Sequence, residues 1–192
     1  MATIETRQAA VYEAALRLIA QGTSPSALKI QQLADAAGIG KGTVYEYFSS
    51  KDEILQGLAV YCFARENERI RALFADCATL ADLTDKTAAY LQDIAANRMG
   101  DYKMIAETLG APRCHGGMDG CIADLKEIMA DLLGRLQAAG EIAPALDTHY
   151  CGAAMFSAVV GGLMGLYYAH ENGLDDKEML QNLKVMLGRM LG

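Results

Sequence analysis

The stretch of sequence that decides the fold is residues 29–51, which read KIQQLADAAGIGKGTVYEYFSSK. Apolar residues recur in it at helical spacing, and the tight turn Ala37-Gly38-Ile39-Gly40 divides it into two short helices. Ile39 and Val44 are placed to fill the angle between these helices. The pattern predicts a helix-turn-helix, in which the two glycines of the turn end the first helix and open the second.

The second helix of this motif has a polar outward face. Val44 and Phe48 are four residues apart and are expected to face inward. The remaining side chains offer an ammonium group, hydroxyl groups and a carboxylate, and Gly42 allows a duplex to approach the backbone closely. The sequence therefore predicts that this helix enters the major groove of DNA. The outward residues are Lys41, Thr43, Tyr45, Glu46 and Tyr47.

Lys51 is unusual for its position in the chain. It follows Ser50 in the first turn of the next predicted helix, where a cation opposes the helix dipole. A bound phosphate would reverse this penalty, because free backbone N–H groups, Ser50 and Lys51 together make an anion site. The alternative is a solvated lysine at a helix end, and beside a helix-turn-helix we favour the phosphate contact.

These residues resemble the N-terminal part of the TetR family of bacterial transcriptional regulators. The similarity lies in AGIGKGTVYEYFSSKDEIL, which follows AALRLIAQG and IQQLADA, and it covers residues 7–55. The resemblance implies a three-helix domain that binds double-stranded operator DNA. It also implies a larger helical domain that forms a homodimer and binds a small-molecule effector, so that the protein acts as a repressor on a palindromic operator.

Position by position, the resemblance implies two kinds of DNA contact. Phosphate contacts fall on Lys41, Thr43, Tyr45, Tyr47 and Lys51, and base-edge contacts fall on Gln31, Gly42, Thr43 and Glu46. The chain departs from the family where Gly40 replaces the common capping serine, and where Leu28-Lys29 replaces a threonine that often opens the second helix. Lys29 is the candidate substitute for the phosphate contact of that threonine.

Helical periodicity continues through the rest of the chain. No stretch alternates strictly between apolar and polar residues, so we expect an all-α protein of about nine helices. The predicted helix starts are Ser50, Thr79, Asp119, Asp147 and Asp175, and the predicted stops are Gly22, Gly100, Gly110, Gly140 and Gly173. We expect a DNA-binding domain over residues 1–50 and an effector-binding and dimerisation domain over residues 51–192.

Composition limits the class of protein. A chain of 192 residues with 52% hydrophobic and 21% charged residues is typical of a folded protein of one or two domains. The net charge of −7, taken whole, argues against a nucleic-acid partner. Residues 1–51, however, carry 5 basic and 4 acidic residues, a net charge of +1, which leaves −8 for the remainder. The acidity therefore lies outside the predicted DNA-binding domain.

The sequence also predicts where the protein works. The N-terminus does not have the pattern of a signal peptide, and the apolar run at residues 151–169 is interpreted as a buried helix rather than a membrane span. The 5 cysteines are scattered, which fits a reducing compartment. We expect a cytoplasmic protein that does not associate with a membrane.

The last two predicted helices cover residues 148–170 and 176–191, where the family forms its dimer interface. Small residues in the first helix permit close helix packing, and an apolar row follows the second helix. We expect a homodimer through these helices, with an intramolecular core as the alternative. The small residues are Gly152, Ala153, Gly161, Gly162 and Gly165, and the apolar row is Met179, Leu183, Met186, Leu187 and Met190.

Methionine is concentrated in the C-terminal half, since all but one of the 10 lie between Met99 and Met190. Flexible thioethers beside tyrosines suit a pocket for a hydrophobic or aromatic effector, and core filling is the alternative. The candidate pocket residues are Tyr90, Met104, Met129, Met155 and Tyr167. Such an effector would act by changing the spacing of the two DNA-binding domains.

Other functions have weaker support in the sequence. Cys114, His115 and Cys121 offer ligands for a soft metal or a redox pair, but zinc needs four ligands at tighter spacing. We expect no cofactor and no metal, and keep a metal-sensing or redox-sensing regulator as an alternative. We also expect no enzymatic activity, because GIGKGT lacks the residues and the preceding strand of a phosphate-binding loop. A helical ligand-binding or scaffold protein without DNA binding is the remaining alternative.

Overall fold

The computed structural model of this chain describes residues 4–98, 117–172 and 175–192. Within these ranges the chain forms eight α-helices and no strand, which confirms the predicted all-α class. Two short segments of other helical type are present, a 3₁₀ turn at Pro25–Ala27 and a π-helical turn at Ile94–Arg98. The helices are α1 (Ile4–Ala20), α2 (Ile30–Ala37), α3 (Lys41–Tyr47), α4 (Lys51–Phe74), α5 (Leu80–Asp93), α6 (Asp119–Ala138), α7 (Thr148–Asn172) and α8 (Asp176–Leu191).

Helices α1, α2 and α3 pack together and form the predicted helix-turn-helix. Gly22 and Gly38 follow α1 and α2 with φ of +96° and +67°, a conformation that favours glycine and confirms both predicted stops. Val44 is fully buried and Phe48 nearly so, while Ile39 is half-buried in the turn. The inward face expected of α3 is therefore the face that the structure buries.

Side chains cap helices α4 and α5 where the sequence predicts their starts. The Ser50 Oγ accepts a hydrogen bond from the Glu53 N–H at 3.1 Å, and the Glu53 carboxylate accepts from the Ser49 N–H at 2.6 Å. Thr79 and Asp82 form the reciprocal pair of a capping box, with both N···O distances 3.0 Å. The predicted starts at Ser50 and Thr79 are confirmed.

Two later helix starts are also confirmed, and one is displaced by a residue. The carboxylate of Asp147 accepts from the His149 N–H at 2.8 Å, and that of Asp175 accepts from the Lys177 N–H at 2.9 Å. Asp119 is the first residue of α6 rather than its cap. Gly140 ends the turn after α6 with φ of +77°, whereas the other predicted stops, Gly100, Gly110 and Gly173, lie outside the described residues.

The described residues divide into two compact units. The first comprises residues 4–66 and 117–121, and the second comprises residues 67–98, 122–172 and 175–192. The predicted boundary after residue 50 falls at the start of α4, whereas the first unit continues into that helix. The functional division into residues 1–50 and 51–192 stays a prediction.

In the second unit, α7 packs against α5 and α8. A Cβ atom on Gly162 would lie 2.7 Å from Cδ1 of Leu91, and one on Gly165 would lie 2.5 Å from Cε of Met179. These two glycines therefore allow the close approach of α5 and α8 to one side of α7. The buried residues of α7 include Cys151, Ala154, Met155, Ala158, Leu163, Leu166 and Ala169.

Candidate nucleic-acid interface

Helix α3 is seven residues long and projects polar side chains from the first unit. It begins after Gly40, which has φ of −70° and supplies no side-chain cap, and it ends where Phe48 becomes extended. Lys41 and Glu46 are exposed, and Tyr45 is 52% exposed, a large fraction for an aromatic side chain. Three of the five predicted outward residues thus face solvent, whereas Thr43 and Tyr47 are half-buried.

The exposed face of α3 rests on a tightly packed support from α1 and α4. The ring of Phe48 lies 5.6 Å from the ring of Tyr12, which in turn lies 5.3 Å from the ring of Tyr61. Gly57 makes room for this arrangement, because a Cβ atom there would collide with the Tyr12 hydroxyl group. The end of α3 is therefore held by aromatic contacts rather than by a cap.

Gly42 lies on the exposed surface of α3, and a Cβ atom there would have no heavy atom within 4 Å. Its φ does not fall in the left-handed region. The fold itself therefore does not require glycine at this position, even though glycine weakens a helix by about 0.5–1 kcal/mol relative to alanine. Close approach of a partner molecule to the backbone of α3 would explain the glycine.

Tyr47 is joined to the start of α1. Nη1 of Arg7 donates a hydrogen bond to the Tyr47 hydroxyl group at 3.0 Å, and both side chains are half-buried. Sequence reasoning missed Arg7. The available signal was its spacing, because Arg7 is four residues before the fully buried Val11 and therefore lies on the core-facing stripe of α1, where a cation is unexpected.

Lys51 forms a hydrogen bond within the chain that neither interpretation of the sequence predicted. Its ammonium group donates to the backbone carbonyl of Ser26, and the side chain is half-buried. The contact joins the first turn of α4 to the 3₁₀ turn before α2. Because an ammonium group has three N–H donors, this bond leaves donors for a phosphate, and the predicted phosphate contact stays untested.

The start of α2 carries the two remaining predicted DNA contacts, Lys29 and Gln31, and both are exposed. Lys29 precedes the helix in extended conformation, and its backbone N–H donates to Oε1 of Gln32 at 3.2 Å. Nε2 of Gln31 donates to Oδ1 of Asp35 at 2.8 Å. Gln31 retains its amide oxygen and a second N–H for a base edge, and the Lys29 ammonium group stays available for a phosphate.

A polar cluster joins α1 to α4 below this surface. The Glu13 carboxylate accepts from the Tyr61 hydroxyl group at 2.7 Å and from Nη1 of Arg65 at 2.5 Å. The Arg65 guanidinium group also lies 5.3 Å from the centre of the Tyr61 ring. Burial raises the pKa of Tyr61, and the hydrogen bond to Glu13 raises it further. Burial likewise raises the pKa of Tyr12. Both phenols therefore stay protonated.

The second unit exposes an apolar surface on α7 and α8. The exposed residues of α7 between 150 and 168 include no charged side chain, and smaller exposed residues, Ala153, Ser157 and Gly161, lie between the large ones. We call these exposed α7 residues the α7 apolar face. The large apolar residues exposed on the two helices are Tyr150 (48%), Phe156 (63%), Met164 (59%) and Tyr168 (61%) on α7, and Val185 (42%) and Met186 (42%) on α8.

This surface corrects the interpretation of residues 151–169 as a buried helix, because only one side of α7 is buried. By length and mean hydropathy, Thr148–Leu166 is the one candidate membrane span among the described residues. Of that window, 39% is buried inside the fold, and core helices of soluble proteins pass the same test. The finding is therefore weak evidence for a membrane span.

The apolar row predicted on α8 is divided by the fold. Leu183 and Leu187 are buried inside the second unit, Met186 is exposed, and Met179 and Met190 are half-buried. The predicted small residues are divided in the same way. Gly162 and Gly165 pack within the unit, whereas Ala153 and Gly161 are exposed and Gly152 is half-buried. Part of the predicted interface is thus intramolecular core.

The predicted effector pocket is only partly within the described residues, because Met104 and the side chain of Tyr167 lie outside them. Met155 is buried, Met129 is half-buried, and the Arg98 guanidinium group lies 5.3 Å from the ring centre of Tyr90. Two depressions in the second unit have volumes of about 390 and about 220 Å³, and neither is lined by these residues. The pocket stays a prediction.

The predicted metal or redox ligands are also mostly beyond the described residues, which exclude Cys114 and His115. Cys121 is half-buried, and its Sγ lies 3.9 Å from the Val60 carbonyl oxygen. In the part of the chain that the structure describes, no three His, Cys, Asp or Glu side chains are grouped closely enough to hold a metal ion.

Comparison with known proteins agrees with this geometry. Residues 11–58 match the model of the family described as bacterial regulatory proteins, tetR family. No curated protein matches the chain significantly. The predicted resemblance to the TetR family is confirmed by the family match and by structures that share the helical fold.

Three solved structures illustrate that fold. GusR from Salmonella enterica has a TM-score of 0.74 at 18% identity, over 96% of this chain and 95% of its own. A TetR family transcription regulator from Marinobacter aquaeolei has a TM-score of 0.69 at 17% identity, over 96% and 95%. FadR from Bacillus subtilis, in complex with stearoyl-CoA, has a TM-score of 0.67 at 19% identity, over 95% and 97%. At these identities the likeness concerns the fold alone.

Proposed function

We propose that this chain, whose residues 11–58 carry the TetR-family signature, is a homodimeric transcriptional repressor that a small hydrophobic or aromatic ligand releases from its operator. The observation that carries the proposal is the exposed face of α3. Within a helix-turn-helix, this face presents Lys41 and Tyr45 to solvent beside a glycine that the fold does not need.

The chemistry of α3 suits the major groove. The Lys41 ammonium and the Tyr45 hydroxyl group are donors, and phosphate oxygens are acceptors. Glu46 is exposed on the same short helix, where its carboxylate is able to accept a hydrogen bond from the amino group of cytosine. Lys29 and Gln31 extend this set of groups at the start of α2.

The α7 apolar face supports a dimer. Large apolar side chains that stay exposed favour association, and the absence of charge along this face removes the cost of burying ions. A two-fold operator requires a two-fold protein, so a second copy of the chain is the partner that we assign to this face. Val185 and Met186 are further exposed apolar side chains, on α8.

A long acyl chain is the ligand class that we propose to test first. FadR, which shares the fold, is solved with stearoyl-CoA, and the methionines of the second unit suit an apolar ligand. Tyr90, Met104, Met129, Met155 and Tyr167 remain the proposed pocket residues. A coupling of about 1–3 kcal/mol between the ligand and DNA would weaken DNA binding about 5–150-fold.

The first test measures binding of the full chain to a duplex from the region upstream of its own gene, with a mixed-sequence duplex as reference. Lys41→Ala and Tyr45→Ala should each weaken binding about tenfold on both duplexes, because phosphate contacts do not depend on sequence. Lys41→Ala should also reduce the salt slope by about one. Lys126→Ala, which removes an exposed lysine of α6, is the control. Unchanged affinity in both α3 variants would contradict the proposal.

A second test adds stearoyl-CoA to the complex with the upstream duplex. We expect release of the DNA, with a shift of at least fivefold in its dissociation constant. Coenzyme A without the acyl chain is the control and should have no effect. If neither compound changes binding, an acyl effector is excluded, while DNA binding is tested independently by the α3 variants.

A further inference from the structure

We infer that Arg7 is a positioning residue for DNA binding, because it fixes the Tyr47 hydroxyl group as a hydrogen-bond donor toward a phosphate. The inference rests on the proposed function and extends it to α1, which lies outside the motif. It starts from the 3.0 Å bond between Nη1 of Arg7 and the Tyr47 hydroxyl group, which joins residues 40 positions apart in the sequence.

Placing Arg7 at this position costs energy, because its charged side chain is partly buried, and this cost needs an explanation. It lies on the same stripe of α1 as Val11 and Ala15, both fully buried, and its own side chain is half-buried. Among the described residues, no carboxylate is within ion-pair distance of its guanidinium group. A partly buried cation whose partner is a neutral hydroxyl group gives the fold little net stability.

The bond determines the direction in which Tyr47 donates. A phenol hydroxyl group donates one hydrogen bond and also accepts, whereas a guanidinium group has donors and no acceptor. The Tyr47 oxygen must therefore accept from Arg7, and its single O–H points elsewhere. A phosphate oxygen only accepts, so this orientation is the one that a phosphate contact requires.

The backbone around Tyr47 makes the orientation persist. Tyr47 is the last residue of α3, and the next residue, Phe48, is buried against Tyr12 of α1. Arg7 and Tyr12 thus hold the end of α3 from the same helix, one through a hydrogen bond and the other through its ring. The hydroxyl group is fixed before DNA arrives, which reduces the entropy lost on binding.

The experiment is a double-mutant cycle on the full chain, with Arg7→Met, Tyr47→Phe and the double variant. Binding to a labelled mixed-sequence duplex is measured by fluorescence anisotropy at low salt. Each single variant should bind about tenfold more weakly, the cost of one charge-assisted hydrogen bond. The double variant should be no weaker than the single ones, because both changes remove the same contact.

Three further measurements separate positioning from other roles. Arg7→Lys keeps an N–H donor and should recover most of the affinity. The salt slope of Arg7→Met should equal that of the wild type, whereas Lys41→Ala lowers it by about one. The control Arg17→Met removes another arginine of α1, one that donates to the Ala36 carbonyl at 2.8 Å, and should leave binding within about twofold.

The outcomes are distinct. Effects that multiply in the double variant would overturn the inference, because Arg7 would then act independently of Tyr47. If the salt slope of Arg7→Met is also reduced, Arg7 binds a phosphate itself, whereas an unchanged slope indicates a purely structural role. If the wild type does not bind the duplex at low salt, the proposed function fails and the inference with it. If Arg7→Met does not fold, Arg7→Lys and Tyr47→Phe still decide.

Discussion

Helices α3 and α7 both expose aromatic side chains, but the surroundings of those side chains differ. Tyr45 is 52% exposed on a seven-residue helix that also exposes Lys41 and Glu46. Phe156 is 63% exposed on a 25-residue helix whose outer face has no charge between residues 150 and 168.

The difference teaches how to assign partners to exposed helices. An aromatic ring beside charged groups contributes a donor to a hydrated, charged partner such as a phosphate backbone. Aromatic rings among small apolar residues favour a dry partner of matching shape. We therefore expect changes on the two helices to separate DNA binding from dimerisation.

The largest effect is expected from Phe156→Glu. A carboxylate in the middle of the α7 apolar face would be buried without a counter-ion in the dimer, which should raise the dimer dissociation constant at least about 100-fold. Analytical ultracentrifugation measures the change. Lys126→Glu, at an exposed site of α6, is the charge control and should leave the dimer intact. A stable Phe156→Glu dimer would show that the interface lies elsewhere.

Substituting one exposed glycine in each helix tests the comparison between α3 and α7. Gly42 of α3 and Gly161 of α7 are both exposed helical glycines with open space where a Cβ atom would be. Alanine at either site should stabilise the isolated fold by about 0.5–1 kcal/mol, measured by denaturant unfolding.

Each alanine should weaken a different association. Gly42→Ala should reduce DNA affinity about tenfold and leave the dimer unchanged, because the added methyl group faces the groove. Gly161→Ala should weaken the dimer by a similar factor, because it separates two closely packed helices. If both variants retain wild-type DNA affinity and dimerisation, close approach does not explain these glycines.

The smallest effect concerns pH, and acid should act mainly on the second unit. In the second unit, hydrogen bonds from Lys86, Thr79 and Asn97 lower the pKa values of Asp76, Asp82 and Asp93, respectively, below the ordinary 3.8. Their contribution to stability is present above pH 3.8 and is lost as the pH falls through the lowered values.

In the first unit, the groups with shifted pKa values lose their contribution to stability in alkali rather than in acid. Burial raises the pKa values of Tyr12 and Tyr61 above 10.0, so their contribution is present below pH 10 and is lost as the pH rises through the raised values. Hydrogen exchange in acid should show protection lost first in the second unit. In alkali both units should lose protection, because burial also raises the pKa values of Cys77 and Cys151 in the second unit above 9.0. Tyr61→Phe should reduce the alkaline effect in the first unit, and an unchanged alkaline profile there would argue against its origin in this phenol.

Sequence reasoning predicted features that depend on neighbouring residues. The helix starts at Ser50, Thr79, Asp147 and Asp175 follow from side chains that cap the next turn, and the stops at Gly22 and Gly38 follow from positive φ. The inward direction of Val44 and Phe48 follows from a period of 3.6 residues. Each of these signals is contained within one or two helical turns.

Sequence reasoning was wrong or silent where residues far apart in the chain meet. It interpreted residues 151–169 as a buried helix without identifying the exposed side of α7, because composition does not show which side of an apolar helix receives neighbours. It placed Leu183 and Leu187 in an interface, whereas packing within the second unit buries them. It missed Arg7, whose partner is 40 residues away, and the Ser26 carbonyl that binds Lys51.

The sequence alone thus determined the helical class, the helix-turn-helix and the donor chemistry of α3, because periodicity, capping and motif residues act locally. Only the tertiary structure decided which apolar residues stay exposed and which cations are tied to protein groups. Burial is a property of the surroundings, so identical side chains, such as those of Met155 and Met164 on one helix, become core or surface according to what packs against them.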